Sequence, residues 1–155
     1  MKVLMDADCL IKLTKSKLKE LVCRNFTVVV PQTVKEEVVD NAARHPDSAI
    51  IRENLDAGLL SVKKSSYTGQ GEDEVFKVFK QGGFDAVCSD DERFLKRLQV
   101  FDMPYITPSV FIALLLKKGT LTVKEARKRL EELSPFVSDD EYNAVKLVLE
   151  NWRVQ

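Results

Sequence analysis

Short apolar stretches alternate with segments of helical spacing along most of the chain. Runs of β-branched and apolar residues predict strands, and apolar residues three or four positions apart predict helices. The predicted strands are 3–5, 26–30, 59–63, 86–88 and 105–106. The predicted helices are 10–24, 34–42, 48–57, 72–81, 92–98, one that opens at Thr107-Pro108, and two more at about 122–133 and 139–152.

This alternation favours an α/β fold with a mostly parallel central sheet and helices on both of its faces. We expect one domain over residues 1–118 and a C-terminal helical extension over 119–155, packed on the same domain. An oligomerisation hairpin is the alternative for these last helices.

The composition is that of a folded, nearly neutral protein. Hydrophobic residues make up 45% of the 155 residues and charged residues 31%, which argues against disorder. Twenty-four basic side chains balance 24 acidic ones, whereas proteins that coat nucleic acid are usually far more basic. Transient contact with a nucleic acid through a local basic patch remains compatible with this balance.

The distribution of apolar residues predicts a cytoplasmic protein without a membrane segment. The longest apolar run, 110–116, is far shorter than the roughly 20 residues that span a bilayer. Asp6 stands where a signal peptide would need apolar residues. Three cysteines without a CxxC pair predict reduced, buried thiols, and the single histidine, His45, argues against a zinc site.

Acidic residues follow the ends of the predicted strands or open the helices that come after them. In parallel α/β sheets, functional sites form at the carboxyl ends of the strands. Because clustered carboxylates repel each other, a divalent cation that accepts oxygen ligands, Mg²⁺ or Mn²⁺, would explain this placement. The acidic segments are Asp6-Ala7-Asp8, Glu36-Glu37, Glu72-Asp73-Glu74 and Ser89-Asp90-Asp91.

Helix capping is the simpler explanation for some of these acids. The segment Ser89-Asp90-Asp91-Glu92 recurs as Ser138-Asp139-Asp140-Glu141, and both fit a capping box with serine at the cap. Thr33…Glu36 and Thr122…Glu125 fit the same pattern, and Asp8 is a candidate cap of the first helix. Capping does not account for Asp6, because an acid inside an apolar run is costly without a partner.

Four segments, in order, resemble the motifs of the PIN-domain ribonuclease family. They are Val3-Leu4-Met5-Asp6, Val30-Pro31-Gln32-Thr33-Val34-Lys35-Glu36-Glu37, Gly71-Glu72-Asp73-Glu74-Val75 and Ala86-Val87-Cys88-Ser89-Asp90-Asp91-Glu92-Arg93-Phe94. The resemblance covers residues 1 to about 118. It departs from the family at Asp8, where Ser, Thr or Asn is usual.

The resemblance implies a metal-dependent ribonuclease. Asp6, Glu37, Glu72 and Asp91 would hold one or two Mg²⁺ or Mn²⁺ ions, with Asp90 and Glu74 as further candidate ligands. Ser89 and Asp8 would orient a ligand or a water. The family also implies an RNA substrate, a homodimer and, for a toxin, a cognate antitoxin.

Basic side chains near these motifs are candidate phosphate contacts. One set is the run Lys12, Lys15, Lys17 and Lys19, and the other is Arg93, Lys96 and Arg97. A solvated helix face is the alternative explanation for the lysine run.

Two other functions compete with the nuclease. Asp6-Ala7-Asp8 resembles the nucleophile motif of haloacid-dehalogenase-type phosphatases, with Asp90-Asp91 as the late acidic pair, although Leu10 replaces the usual Thr or Val. A catalytically inactive PIN-like binding module would keep the acids as helix caps only and would bind no divalent ion.

Overall fold

The central sheet has five parallel strands. A computed structural model describes residues 1–40, 46–64 and 71–153, and in this part of the chain the strand order is β3-β2-β1-β4-β5. The strands are β1 (Lys2–Met5), β2 (Thr27–Pro31), β3 (Ser61–Lys63), β4 (Ala86–Cys88) and β5 (Tyr105–Ile106). The predicted α/β fold with a parallel sheet is therefore confirmed.

Helices cover the sheet and account for most of the remaining described residues. They are α1 (Ala7–Lys15), α2 (Lys19–Asn25), α3 (Gln32–Lys35) with a π-helical turn at Glu36–Asp40, α4 (Pro46–Asp56), α5 (Glu72–Lys80), α6 (Glu92–Val100), α7 (Val110–Lys117), α8 (Val123–Leu133) and α9 (Asp139–Glu150). A short 3₁₀ turn, Ser134–Phe136, links α8 and α9. No described helix has the length and hydropathy needed to cross a membrane.

The helix predicted over 10–24 is wrong as a single element. Lys17 has a φ of 60°, and its N–H donates to the Thr14 carbonyl while the Leu18 N–H donates to the Leu13 carbonyl at 2.9 Å. This pair of bonds is the Schellman arrangement that ends a helix. The Leu18 side chain is buried in this arrangement, and its burial stabilises the break between α1 and α2.

Two other predicted helix starts are also wrong in detail. Thr33 and Glu36 do not form a capping box, since α3 begins at Gln32 after Pro31 without a side-chain cap. The helix predicted from Thr107-Pro108 begins later, at Val110, after a turn in which the Val110 N–H donates to the Thr107 carbonyl. The capping box of Thr122 and Glu125 at the start of α8 is confirmed.

Alternating side chains of the central strand supply two apolar cores. Val3 and Met5 of β1 belong to one core, and Leu4 between them belongs to the other, as the period of two in a strand requires. The first core also receives residues from the last two helices: Ala126, Leu130, Leu133, Val145 and Leu149. All three cysteines are free and buried, as predicted.

Candidate functional site

The carboxyl ends of β1 and β4 lie side by side and bring two of the acidic segments together. Met5 is in register with Cys88, and the Asp6 N–H donates to the Cys88 carbonyl at 3.2 Å. Asp6 and Ser89 are therefore the first residues beyond two neighbouring strands. This adjacency follows from the central position of β1 between β2 and β4.

Asp6, the first of the candidate ligands, is also the N-cap of the first helix. Its Oδ1 accepts a hydrogen bond of 2.9 Å from the Cys9 N–H, so Asp6, and not Asp8, is the N-cap of α1. Burial raises the pKa of the Asp6 carboxyl, the Ser89 hydroxyl and the Cys9 N–H lower it, and the charge of Asp90 raises it further; the net direction is upward. The folded protein therefore holds an Asp6 carboxylate whose negative charge is only partly compensated.

Ser89 connects the first acid to the fourth. Its buried hydroxyl lies near enough to the Asp6 carboxyl to lower the pKa that burial raises, and its Oγ accepts from the Asp91 N–H at 3.4 Å. Asp91 in turn caps α6, because its Oδ1 accepts from the Phe94 N–H at 2.8 Å. Ser89 therefore interacts with both Asp6 and Asp91, the N-caps of α1 and α6.

The repeated tetrapeptide caps its two helices differently. Ser138 caps α9 as predicted, accepting from the Glu141 N–H at 3.1 Å. The prediction that Ser89 caps α6 is wrong, since α6 begins at Glu92 and its N-cap is Asp91. The cap is thus the third residue of the first tetrapeptide but the first residue of the second. Ser89 directly follows β4, whereas Ser138 follows the 3₁₀ turn Ser134–Phe136 and Val137.

Glu72 completes a group of three carboxylates. It opens α5 directly after Gly71, which adopts a φ of 58°. Burial raises the pKa of the Glu72 carboxyl, and so do the charges of Asp91 and Asp6 and a hydrogen bond with Asp91, while Arg97 lowers it. Glu72 is therefore close enough to Asp91 and Asp6 for their charges to act on its carboxyl.

Asp90 lies beside Asp6 and contacts two residues of α1. Its Oδ2 lies 2.5 Å from the Lys12 Nζ, and its Oδ1 lies 3.9 Å from the Cys9 Sγ. Burial lowers the pKa of the Lys12 ammonium, but the hydrogen bond and charge of Asp90 outweigh it, so that the pKa is raised. Sequence reasoning missed this pair, although Cys9 and Lys12 are three residues apart and so share a helix face.

The remaining predicted acids are placed apart from these. Glu37 is exposed in the π-helical turn after β2, and its side chain makes no hydrogen bond or ion pair within the described residues. Asp8 is exposed in the first turn of α1. Glu74 is buried, and its Oε2 accepts a hydrogen bond from the Thr33 hydroxyl, which ties α5 to α3.

The basic residues divide into accessible and inaccessible ones. Lys15, Arg93 and Lys96 are exposed and available to a ligand. Lys19 is buried, so its predicted contact with phosphate is wrong. Arg97 pairs with Asp73 at 2.6 Å. His45 lies outside the described residues.

The donors near Asp6 match a hard cation in kind. Asp6 and Asp91 each use one carboxylate oxygen as a helix cap, which leaves the other oxygen for a ligand. In the described ranges, no three acidic, histidine or cysteine side chains are arranged so that they would hold an ion as they stand. Because the Glu72 side chain is exposed, its rotation would bring its carboxylate toward those of Asp6 and Asp91.

A comparison with protein families identifies the fold. The family model described as a PIN domain matches residues 2–150, nearly the whole chain. The chain belongs to the PIN-domain family. PIN domains have a nuclease-like fold and are generally metal-dependent hydrolases that act on RNA. Searches of curated proteins and of solved structures found no match.

Proposed function

We propose that this PIN domain is a ribonuclease that hydrolyses RNA phosphodiester bonds with Mg²⁺ or Mn²⁺. The observation that carries the proposal is the grouping of Asp6, Glu72 and Asp91 at the carboxyl edge of the sheet, where burial and the charges of Asp91 and Asp6 raise the pKa of the Glu72 carboxyl. Repulsion between these carboxylates is an unfavourable feature of the folded chain, which a divalent ion would remove.

Asp6, Glu72 and Asp91 would hold the ion, and Glu37 is the candidate fourth ligand. A bound divalent ion makes a water nucleophilic near neutral pH and neutralises charge on the phosphate. Asp90 and Glu74 are not among the ligands in this proposal, because each already has a hydrogen-bond partner. Asp90 is bonded to Lys12 of α1, and Glu74 is bonded to Thr33 of α3.

The protein's own groups pre-orient the ligands. The backbone N–H groups of Cys9 and Phe94 fix the Asp6 and Asp91 carboxylates at the starts of two helices. The Ser89 hydroxyl accepts a hydrogen bond from the Asp91 backbone N–H and favours the charged form of the Asp6 carboxyl. Orientation by such neighbouring groups typically changes metal affinity or activity by about 10–100-fold.

RNA would approach over the exposed start of α6. Arg93 and Lys96 lie within five residues of Asp91 and are exposed, so they are the proposed phosphate contacts, with Lys15 of α1 as a further candidate. From the family resemblance we also propose that the protein is cytoplasmic, that it forms a homodimer and that it has a cognate antitoxin.

The test is cleavage of an end-labelled single-stranded RNA by the full chain with Mn²⁺, with EDTA, and with Mn²⁺ restored after EDTA. We expect cleavage only when the metal is present. Cleavage that survives EDTA would contradict metal dependence, and an absence of cleavage on a panel of structured and unstructured RNAs would favour an inactive binding module. Release of phosphate from an aryl phosphate would instead favour the phosphatase that uses Asp6 and Asp8.

A further inference from the structure

A groove lies between the C-terminal ends of α7 and α9, at the opposite edge of the sheet from the proposed metal site. Its volume is about 800 Å³, within the range of small-molecule sites. Because α7 follows β5, it starts near the carboxyl edge, and its eight residues carry the chain about 12 Å toward the amino edge. There the Lys118 Nζ donates to the carbonyl of Asn25, two residues before β2. The side chains that line the groove include Leu116, Lys117, Lys118, Val148, Trp152 and Arg153.

The groove carries more positive charge than its helix ends balance. Three of its lining residues are cations, and the described lining residues include no acid. The C-terminal ends of α7 and α9 contribute about half a negative charge each, so a surplus of about two positive charges is left. Charge complementarity therefore favours an anionic occupant.

Trp152 places an aromatic side chain in the same groove. It is the only tryptophan of the chain, and its side chain is partly buried against the first core. Lys117 and Arg153 beside it are exposed. A positively charged groove with an aromatic side chain is typical of proteins that bind single-stranded RNA, because the cations contact phosphates and the bases stack on the ring. An acidic peptide would match the charge but has no base to stack on the indole.

We propose that the groove between the C-terminal ends of α7 and α9 binds single-stranded RNA, with a base stacked on Trp152 and phosphates at Lys117 and Arg153. The inference rests on the proposed ribonuclease function and adds a contact surface for a part of the RNA outside the cleavage site. Lys118 uses one of its three N–H donors on Asn25 and offers the others to the same RNA.

The fluorescence of Trp152 reports on this groove directly, because the chain has no other tryptophan. The full chain is titrated with a short oligouridylate in EDTA, so that no metal-dependent cleavage intervenes. We expect the RNA to quench the fluorescence in step with binding, which is followed separately by the anisotropy of an end-labelled oligouridylate. An oligoglutamate of the same charge tests the acidic peptide and should not quench. Fluorescence that the RNA does not quench, or that the peptide quenches at a lower concentration than the RNA, overturns the inference.

Two kinds of variant separate stacking from charge, with circular dichroism to check that each is folded. Trp152→Leu keeps an apolar side chain but cannot stack, and should weaken RNA binding by about 5–150-fold, the range for one lost stacked base. Lys117→Gln/Arg153→Gln should lower the log–log salt slope of binding by roughly 1.4. The control with the same loss of charge, Lys124→Gln/Lys128→Gln, lies outside the groove and should leave the slope unchanged. Equal slopes for the two folded double variants overturn the inference.

Cleavage with Mn²⁺ distinguishes a failure of this inference from a failure of the proposed function. Metal-dependent cleavage by a chain whose Trp152 fluorescence the RNA does not quench overturns the groove alone. Quenching by RNA in a chain that cleaves no RNA overturns the ribonuclease and supports the groove as an RNA-binding surface.

Discussion

At the scale of single residues, the acids of this PIN domain differ in what their carboxylates already do. Asp6 and Asp91 cap helices with one oxygen and keep the other free, whereas Asp90 is held by Lys12. Sequence position alone assigned all of them to one group of candidate ligands. The partners of each oxygen, which depend on contacts between α1 and β4, distinguish them.

The raised pKa of Asp6 predicts how stability depends on pH without metal. A carboxyl whose pKa is higher in the folded state destabilises that state when charged, and the penalty fades as pH falls toward the unfolded pKa. Asp6→Asn should therefore be more stable than wild type at pH 7, since asparagine also caps helices well. The advantage should shrink as pH falls toward about 4, near the pKa of an unperturbed Asp.

Urea unfolding of both proteins at several pH values, in EDTA, measures this difference. Comparing the two proteins cancels the titration of every other carboxyl that they share. A constant difference between pH 7 and 4, or a less stable Asp6→Asn at pH 7, would contradict the assignment of Asp6 as an unfavourably buried carboxylate.

At the scale of elements, the sequence pattern predicts the strands and most helices because apolar periodicity reports burial directly. Ala86–Cys88 and Tyr105–Ile106 agree with the prediction residue for residue. The break at Lys17 was missed because its cause is a left-handed backbone conformation at a non-glycine residue, stabilised by burial of Leu18. The role of Thr33 was missed because its partner, Glu74, is 41 residues away.

Replacing serine with alanine should have different effects in the two copies of the tetrapeptide. Ser138→Ala removes a helix cap and should cost about 1 kcal/mol of stability, with cleavage and Mn²⁺ affinity unchanged. Ser89→Ala removes the link between Asp6 and Asp91 and should lower Mn²⁺ affinity or cleavage by about 10–100-fold.

Urea unfolding, Mn²⁺ titration and RNA cleavage of the two variants separate these roles. If Ser89→Ala leaves both metal affinity and cleavage at the wild-type level, Ser89 is only a buried hydroxyl of the strand end.

At the scale of the whole molecule, parallel strand order explains why segments far apart in sequence meet. Asp6 and Asp91 are 85 positions apart, yet β1 and β4 are neighbours and their carboxyl ends share an edge. The sequence predicts this gathering for any parallel sheet. It does not predict the strand order, nor that Glu37 lies six residues beyond the end of β2, in a π-helical turn, whereas Asp6 directly follows β1.

The distribution of accessible basic residues predicts which face binds RNA. Replacing Arg93 and Lys96 with Gln should lower the log–log salt slope of RNA binding by roughly 1.4, at about 0.7 for each lost contact with a single strand. Lys124→Gln/Lys128→Gln on α8 is the control with the same loss of charge, since both residues are exposed. Binding titrations at several salt concentrations measure the slopes, and equal slopes for the two double variants would remove α6 from the RNA-binding face.

The central claim is that the acids at the sheet edge, and not acids at helix starts in general, carry RNA cleavage. The most direct measurement compares the Mn²⁺-dependent cleavage rates of wild type, Asp91→Asn and Asp140→Asn, which change corresponding residues of the repeated tetrapeptide. We expect Asp140→Asn to cleave RNA at the wild-type rate and Asp91→Asn to lose at least about 100-fold, the upper range for groups that only orient a ligand. Equal cleavage by the two folded variants would contradict the account.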